Sequence, residues 1–278
     1  MLPDFVSVNP ETKEEALAFL DSTGDARVIA GGTDLLVDMK RGESCRNVVD
    51  IMNVEGLNRL SVNNGEIVIG STVTHAAIST ITTLNNMARS LSAACGLIGS
   101  PQIRNMGTIG GNLVNASPAA DSISPLLIHD AILSIESKDE MREETLENFI
   151  IAPYETSLKP CELLTSVCIK ALPGYREGYR RTAKRAAWAI SRLSVAWAIL
   201  EDEGRFVDVK LAIGSCTPMP FRPRSVEEFL RGRTKDDPTM GEAVVMVTEE
   251  IRRITGDRPS FAYKLPVVSD LVQKALRG

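Results

Sequence analysis

The run Asn105–Asp121, Asn-Met-Gly-Thr-Ile-Gly-Gly-Asn-Leu-Val-Asn-Ala-Ser-Pro-Ala-Ala-Asp, constrains this chain more than any other stretch. It is rich in Gly, Asn, Ser, Thr and Ala, carries no lysine or arginine, and has glycine at three of the five positions 107–111. Glycine reaches positive φ without cost and lets a ligand approach the main chain closely. Successive unpaired N–H groups in such a loop form an anion-binding concavity, so the run reads as a phosphate cradle that works through backbone rather than through charge. A second small-residue turn, Ala30-Gly31-Gly32-Thr33-Asp34, lies between an apolar strand and a helix. The rest of the chain then reads as a frame that holds two turns against one dinucleotide.

The common nucleotide fingerprints are absent. The sequence has no G-x-x-x-x-G-K-[ST] and no G-x-G-x-x-G, which excludes a P-loop and the standard Rossmann turn. Around the two turns the pattern is mixed. Arg27–Ala30, Asp34–Lys40 and Asn47–Ile51 read as strand, helix and strand, a small βαβ unit. Ahead of it the helix over 10–20 carries a capping box, Thr12 with Glu15. Strands are expected at 57–60 and 66–70 around Asn63-Asn64-Gly65, and at 131–136 and 163–170. Helices are expected over 75–80 behind Thr74, over 85–95, over 118–129 and over 144–149. Pro173-Gly174 marks a boundary. Beyond it, strands 194–200 and 206–213 precede an extended link over 218–223. Helices then open at Ser225, with Glu228 completing a capping box, and run over 240–255 and 268–276. The class is α+β.

With 278 residues the chain can bury a sizeable core. Its formal net charge of −5 argues against a nucleic-acid binder that neutralises phosphates. The cysteines Cys45, Cys95, Cys161, Cys168 and Cys216 are scattered, with no Cys-x-x-Cys. A zinc ribbon or a cluster held by this chain is therefore not expected, and free thiols in a reducing compartment are. The N-terminal residues lack the basic and apolar regions of a secretory signal, and no apolar run reaches the roughly 20 residues of a membrane span. The expected location is cytoplasmic. His75 and His129 pair with no nucleophile or metal-ligand set in the sequence, and Trp188 and Trp197 read as core. Asp34 and Asp38 read as a cap and a surface charge. Arg176, Arg180, Arg181, Lys184 and Arg185 form a basic stretch, read either as a solvated helix face or ion-pair set, or as a contact surface for cofactor, acceptor or an acidic partner.

Taken together, Val28-Ile-Ala-Gly-Gly-Thr-Asp-Leu-Leu36 and Gln102–Asp121 closely resemble the FAD-binding subunit of the molybdenum hydroxylases, the xanthine dehydrogenase and carbon monoxide dehydrogenase family. Glu162-Leu-Leu-Thr-Ser-Val167 and the basic stretch before Ala189-Ile-Ser191 occur in the family's order, and the likeness covers essentially the whole chain. It implies a PCMH-type FAD-binding domain over 1–173, divided into a βαβ subdomain (about 1–56) and a larger α+β subdomain (57–173). A C-terminal α+β domain over 174–278, an antiparallel sheet under helices, would follow. It implies that Ala30, Gly31, Gly32, Thr33 and Asp34 wrap the FAD pyrophosphate. Thr108, Gly110, Gly111 and Asn112 would close the cradle, with Val114 and Asn115 along the cofactor. Asp121 matches an aspartate that contacts the FAD, Leu164 a residue whose main chain lies near the flavin, and Arg181 a position often held by lysine.

The resemblance further implies a larger machine. This chain would be the medium subunit, relaying electrons from [2Fe-2S] clusters on a small subunit to NAD+ or another acceptor. Molybdopterin would sit on a large subunit, where substrate is hydroxylated. The surroundings of Gly99–Asn105 favour a purine substrate. Two alternatives stand beside this reading: a free-standing flavin oxidase or reductase, and a scaffold of the same fold without flavin. No acid–base pair or nucleophilic triad is evident, which suits a protein whose redox chemistry belongs to a cofactor.

Overall fold

A computed structural model describes residues 4–183 and 190–278. The chain opens with β1 (Val6–Val8), α1 (Lys13–Thr23), β2 (Arg27–Ile29), α2 (Leu35–Lys40), β3 (Asn47–Asp50), β4 (Leu60–Asn63), β5 (Glu66–Gly70) and α3 (His75–Thr80). It continues through α4 (Thr82–Met87), α5 (Arg89–Leu97), α6 (Pro101–Met106), α7 (Ile109–Asn115), α8 (Ile123–Ile128), β6 (Ile132–Glu136), β7 (Met141–Thr145), α9 (Leu146–Phe149), β8 (Ile150–Ala152), β9 (Glu155–Thr156) and β10 (Leu163–Lys170). The last third holds β11 (Arg176–Ala183), β12 (Ser191–Asp202), β13 (Arg205–Gly214), α10 (Arg224–Leu230), α11 (Asp237–Thr255) and α12 (Phe261–Arg277). Among the described residues no helix is long and apolar enough to cross a membrane.

The chain forms two compact units. The first comprises Met1–Ile78, Ser100–Ser117 and Asp130–Lys170. Its parallel sheet, in the order β1-β3-β2, buries the adjacent Val48 and Val49 of its central strand, as a strand covered on both faces must. The apolar side of α1, Ala16, Leu17 and Leu20, joins Val49, Ile51 and Leu57 in one core. Thr12 caps α1 by accepting the Glu15 N–H at 3.2 Å. Glu15 returns to the Glu11 N–H at 3.0 Å, one residue ahead of the expected box partner. Gly24, at φ +69°, ends the helix with a bond to the Leu20 carbonyl.

The second sheet of this unit is antiparallel, in the order β4-β5-β10-β6-β7. Asn64 and Gly65 both sit at positive φ, 50° and 81°, as a two-residue hairpin turn requires. The first hairpin strand is 60–63 rather than 57–60. Leu57 is committed to the α1 core, and its carbonyl accepts the Thr72 N–H at 2.9 Å. The short polar strand β7 (Met141–Thr145) stands where the sequence suggested only the onset of a helix. That helix is the single turn α9, capped by Thr145.

The second unit comprises Ser79–Gly99, Pro118–His129 and Ala171–Gly278. Its antiparallel sheet β11-β12-β13 has a central strand buried continuously from Leu193 to Ile199. The α12 and α8 helices both pack on that strand, and its core extends through Val226, Leu230, Val247, Ile251, Val268 and Val272. Several expected features differ here. The basic stretch is not a helix: Arg176, Arg180 and Arg181 lie on β11, where Tyr179 is buried and Gly178 pairs with Trp197. Trp197 is core, as read; Lys184, Arg185, Trp188 and Ala189 lie outside the described residues. The helix expected over 85–95 is two helices, because Ala88 leaves helical geometry at φ −149°, ψ 56°. Ser225 does not cap α10; its hydroxyl donates to Glu250, and Pro223 holds the cap position. Helix α12 begins at Phe261, nearly two turns before the expected start, and carries Pro266 within it.

Candidate functional site

In the first unit β2 runs into the turn Ala30–Asp34, and α2 begins immediately after it. Gly32 takes φ +66°, a left-handed value open to glycine. Gly31 is required for a different reason. A Cβ there would lie 1.7 Å from the Met106 carbonyl oxygen, so the turn touches the end of α6 backbone to backbone. Among the described residues no acceptor meets the N–H groups of Gly31, Gly32, Thr33 and Asp34. Four successive unpaired donors at this turn have the arrangement expected of an anion-binding concavity. Asp34 holds the cap position of α2 without a side-chain cap bond. Partial burial, and then the charge of Asp38, raise its carboxyl above the ordinary value, and Asp38 itself pairs with Arg41 at 3.5 Å.

The downstream run is built otherwise than expected. It is two short helices, α6 and α7, joined at Gly107-Thr108. The N–H groups of the first turn of α7 are all used internally. Ile109 donates to the Val73 carbonyl (3.0 Å), Gly110 to Ser71 (2.9 Å) and Asn112 to Thr108 (3.0 Å). Gly111 donates to the Thr108 hydroxyl (3.1 Å). Bare donors are thus a property of Ala30–Asp34 and not of Thr108–Asn112. The glycines also divide by role. Gly110 is buried, and a Cβ there would come within 2.6 Å of the Ser71 side chain; Gly111 is exposed, and a Cβ would meet only the Thr108 hydroxyl, at 3.0 Å. Val114 is exposed, Asn115 half-buried, and Ala116 ends α7 in the left-handed region at φ +46°.

Gly107 sits among residues from both turns. A Cβ there would be 3.2 Å from His75 Cδ2 and 3.5 Å from Thr33 Oγ1, and its carbonyl accepts the His75 N–H at 3.0 Å. Burial lowers the His75 imidazole to about 4, so it is neutral at physiological pH. Leu164 is buried near the start of β10, beside a register shift between Leu164 and Ser166. Glu162 anchors that strand end. It accepts from Arg142 Nε and Nη2, both at 2.9 Å, and from the Lys159 N–H at 2.9 Å, and Arg142 holds its carboxyl low.

Asp121 and Arg181 belong to the second unit and meet each other there. Arg181 Nη1 donates to Asp121 Oδ2 at 2.6 Å, with both side chains buried. Tyr179 and Ser191 hydroxyls donate to Asp121 Oδ1, each at 2.5 Å. Burial, then the Asp121 charge, push the Tyr179 hydroxyl well above its ordinary value. Among the described residues three groups thus donate to the Asp121 carboxylate. Arg181 Nη2 also holds the Leu97 carbonyl at 2.6 Å. The planar guanidinium serves two acceptors at once, which an ammonium does less well. Tyr179 and Ser191 were not singled out as site residues from sequence; an aromatic residue set among Arg176, Arg180 and Arg181 was the available signal for Tyr179.

His129 Nε2 lies 3.1 Å from Glu177 Oε2 and 3.3 Å from Ser90 Oγ, all buried. Both contacts use the same ring nitrogen, so the three side chains are not arranged as a nucleophile–base–acid relay. The cysteines are all free thiols, and no cluster of potential metal ligands occurs among the described residues.

Residues 3–170 match the family model described as the FAD binding domain in molybdopterin dehydrogenase, and residues 178–278 that of the CO dehydrogenase flavoprotein C-terminal domain. The glyceraldehyde dehydrogenase medium chain of Sulfolobus acidocaldarius is 31% identical over 99% of this chain and 98% of its own length. The xanthine dehydrogenase FAD-binding subunit of Escherichia coli O157:H7 is 29% identical, over 98% of this chain and 95% of its own. The solved carbon monoxide dehydrogenase from Hydrogenophaga pseudoflava shares the fold at a TM-score of 0.92 and 22% identity, over 100% of this chain and 97% of that one.

Proposed function

The chain belongs to the FAD-binding family of the molybdopterin dehydrogenases, and on that premise we propose that it is the flavin-carrying medium subunit of a molybdenum-dependent hydroxylase complex. The observation that carries the assignment of the site is the turn Ala30–Asp34. Its four unpaired N–H groups present fixed positive dipole ends without a net charge, and the Gly31 backbone seats it on the end of α6. This fits an FAD pyrophosphate. Gly31, Gly32, Thr33 and Asp34 donate from the main chain, and Thr33 adds its hydroxyl. Ala30 supplies the strand end that enters the turn. Thr108 and Gly110 shape α7 from within, while Gly111, Asn112, Val114 and Asn115 form the side that faces the cofactor. Leu164, through its main chain, and Asp121, held by Arg181, are the further flavin contacts of this reading.

The bound flavin supplies a store that takes electrons singly and releases them as a pair. The protein's own work is to bind it, to orient it and to exclude water from one side. Electrons would arrive from [2Fe-2S] clusters on a small subunit, and substrate would be hydroxylated at molybdopterin on a large subunit. NAD+ is the acceptor to be tried first. A purine is the substrate class to be tried first, beside an aldehyde and carbon monoxide, which the relatives' names bring in.

The test is flavin uptake and assembly. Purified chain is expected to bind one FAD, and its flavin is expected to bleach under substrate only when the iron–sulfur and molybdenum partners are present. Turnover of a substrate by the chain alone would favour a free-standing oxidase. Chain that takes up no FAD would leave the scaffold reading.

A further inference from the structure

Gly107 is buried and its backbone is extended, at φ −64° and ψ 132°, a conformation open to any residue. Space, not backbone geometry, therefore explains why it has no side chain. The point a Cβ would occupy lies 3.0 Å from the Ile103 carbonyl oxygen, 3.2 Å from His75 Cδ2 and 3.5 Å from Thr33 Oγ1. The missing methyl group leaves a notch that the imidazole of His75 and the side chain of Thr33 share. The two sides of that notch are held very differently. On the His75 side the backbone is zipped to α7. The His75 N–H donates to the Gly107 carbonyl at 3.0 Å, the Ile109 N–H donates to the Val73 carbonyl at 3.0 Å, and Thr74 and Thr108 form an antiparallel bridge between them. The Thr74 hydroxyl then accepts the Ala77 N–H at 3.2 Å, which starts α3 at His75. On the other side the half-buried Thr33 belongs to the turn whose N–H groups meet no acceptor among the described residues. Packing therefore carries more of the work of fixing that turn, through Gly31 on the Met106 carbonyl and through Thr33 at the notch. The His75 ring is 2% exposed and neutral at physiological pH, so it offers the turn a shape and adds no charge.

We propose that His75 is a positioning residue for the cofactor: its ring, seated against Gly107, holds the Thr33 side chain in the place from which it meets the pyrophosphate. His75 acts through Thr33 and needs no contact with the cofactor itself. The gain is preorganisation, since a side chain already held in its bound position loses less freedom when the ligand arrives. Gly107 belongs to the same device, because only a residue without a Cβ leaves the ring its seat. The inference rests on the reading of Ala30–Asp34 as the FAD pyrophosphate turn and adds to it a residue that makes the turn competent.

The experiment is titration calorimetry of FAD, and of ADP as a probe that carries the pyrophosphate without the flavin, into the purified flavin-free chain. The proteins are the wild type, His75→Ala, His75→Leu, Thr33→Ala and the double variant of His75→Ala with Thr33→Ala. His75→Ala is expected to raise the Kd for both probes about tenfold, the scale of one lost polar contact. His75→Leu refills the notch and is expected to stay within about threefold of wild type, as a near-volume-conserving exchange does. In the Thr33→Ala background the ring has no side chain left to hold, so His75→Ala is expected to add less than about twofold. A general loosening of the fold would not produce that coupling. His75→Ala that binds both probes like wild type would overturn the proposal, as would an equal loss in both backgrounds or a His75→Leu as weak as His75→Ala. Melting temperatures are recorded without ligand, and if His75→Ala melts early, His75→Val takes its place in the same cycle. Wild-type chain that takes up no FAD removes the proposed function and this inference with it, whereas wild-type uptake with no effect at His75 removes this inference alone.

Discussion

Gly31 and Gly111 look alike in sequence and differ in what a side chain would meet. A methyl group on Gly31 would overlap the Met106 carbonyl at 1.7 Å, and both partners are backbone, so the turn itself must move. Gly31→Ala is expected to cost about 2 kcal/mol or more, as overpacking of fixed neighbours does, and to abolish flavin retention. Gly111 is exposed and meets only its own cap hydroxyl. Gly111→Val is expected to change the melting free energy by less than about 1 kcal/mol while lowering FAD affinity at least tenfold. Apo-protein melting and flavin content measured side by side check both; equal flavin content in Gly111→Val and wild type would remove α7 from the cofactor site. His75 gives a prediction with a definite sign. Its folded value of about 4 lies below the ordinary 6.5. Above pH 6.5 both states are neutral and the full stability is present. As pH falls from 6.5 toward 4 the unfolded chain takes up a proton that the buried ring refuses, and about 3 kcal/mol is lost. Urea unfolding at pH 7 and pH 4.5 should show that loss in the wild type and a clearly smaller one in His75→Gln; equal losses would refute it. Composition picked out both glycine turns but read one role into both, whereas Gly110 serves close packing against Ser71. What composition could not reveal was which donors are spent internally, since that depends on Ser71 and Val73, more than thirty residues upstream of the α7 groups they satisfy.

At the scale of elements, β11 shows where pattern reading fails and why. Arg176, Arg180 and Arg181 recur at spacings that suit a helix face. In the fold all three lie on a strand, and Arg176 and Arg181 go to separate partners, Glu201 at 2.8 Å and Asp121 at 2.6 Å. Tertiary pairing with β12 decides the element, through Gly178 opposite Trp197. A Cβ on Gly178 would lie 2.1 Å from the indole ring. Gly178→Ala is expected to destabilise the second unit by about 2–3 kcal/mol, because the ring is hemmed in by a buried core. In a Trp197→Leu background the same change is expected to cost less than about 1 kcal/mol. That coupling, read from a double-mutant cycle of unfolding free energies, is what a direct clash requires; additive costs would mean that the strand is weakened by some other route. The helix break at Ala88 was illegible for a related reason: no glycine or proline stands there, so only packing marks it. The early start of α12 was hidden by Pro266, which lies inside the helix and reads in sequence as a barrier to one. The elements with local signals, the Thr12 cap, the Asn64-Gly65 turn and the alternating strands β6 and β10, were read at nearly their true bounds.

For the whole molecule the chain order and the compact units do not coincide. The family models meet between residues 170 and 178, but the unit that holds residues 171–278 also contains Ser79–Gly99 and Pro118–His129. Helix α8 lies against β12 and β13, and α5 lies against β11. On α8 the side chains of Ile123, Leu126, Leu127 and Ile128 are all buried. Arg222, itself paired with Glu227 through two bonds of 2.8 Å, donates to the Leu127 carbonyl at 3.2 Å. Four buried aliphatic side chains at about 2 kcal/mol each amount to about 8 kcal/mol, which is comparable to the whole stability of a domain. Residues 174–278 expressed alone would lose that contribution and expose the sheet face that α8 covers. The fragment is therefore expected to lack a cooperative thermal transition and to bind an apolar dye, whereas the full chain melts cooperatively. Supplying residues 79–129 by fusion ahead of the fragment is expected to restore a transition, because it returns both α5 and α8 to the sheet. A sharp melt and well-dispersed amide resonances from 174–278 on its own would show that the C-terminal sheet is self-sufficient, and that α5 and α8 are attached to it without being needed by it.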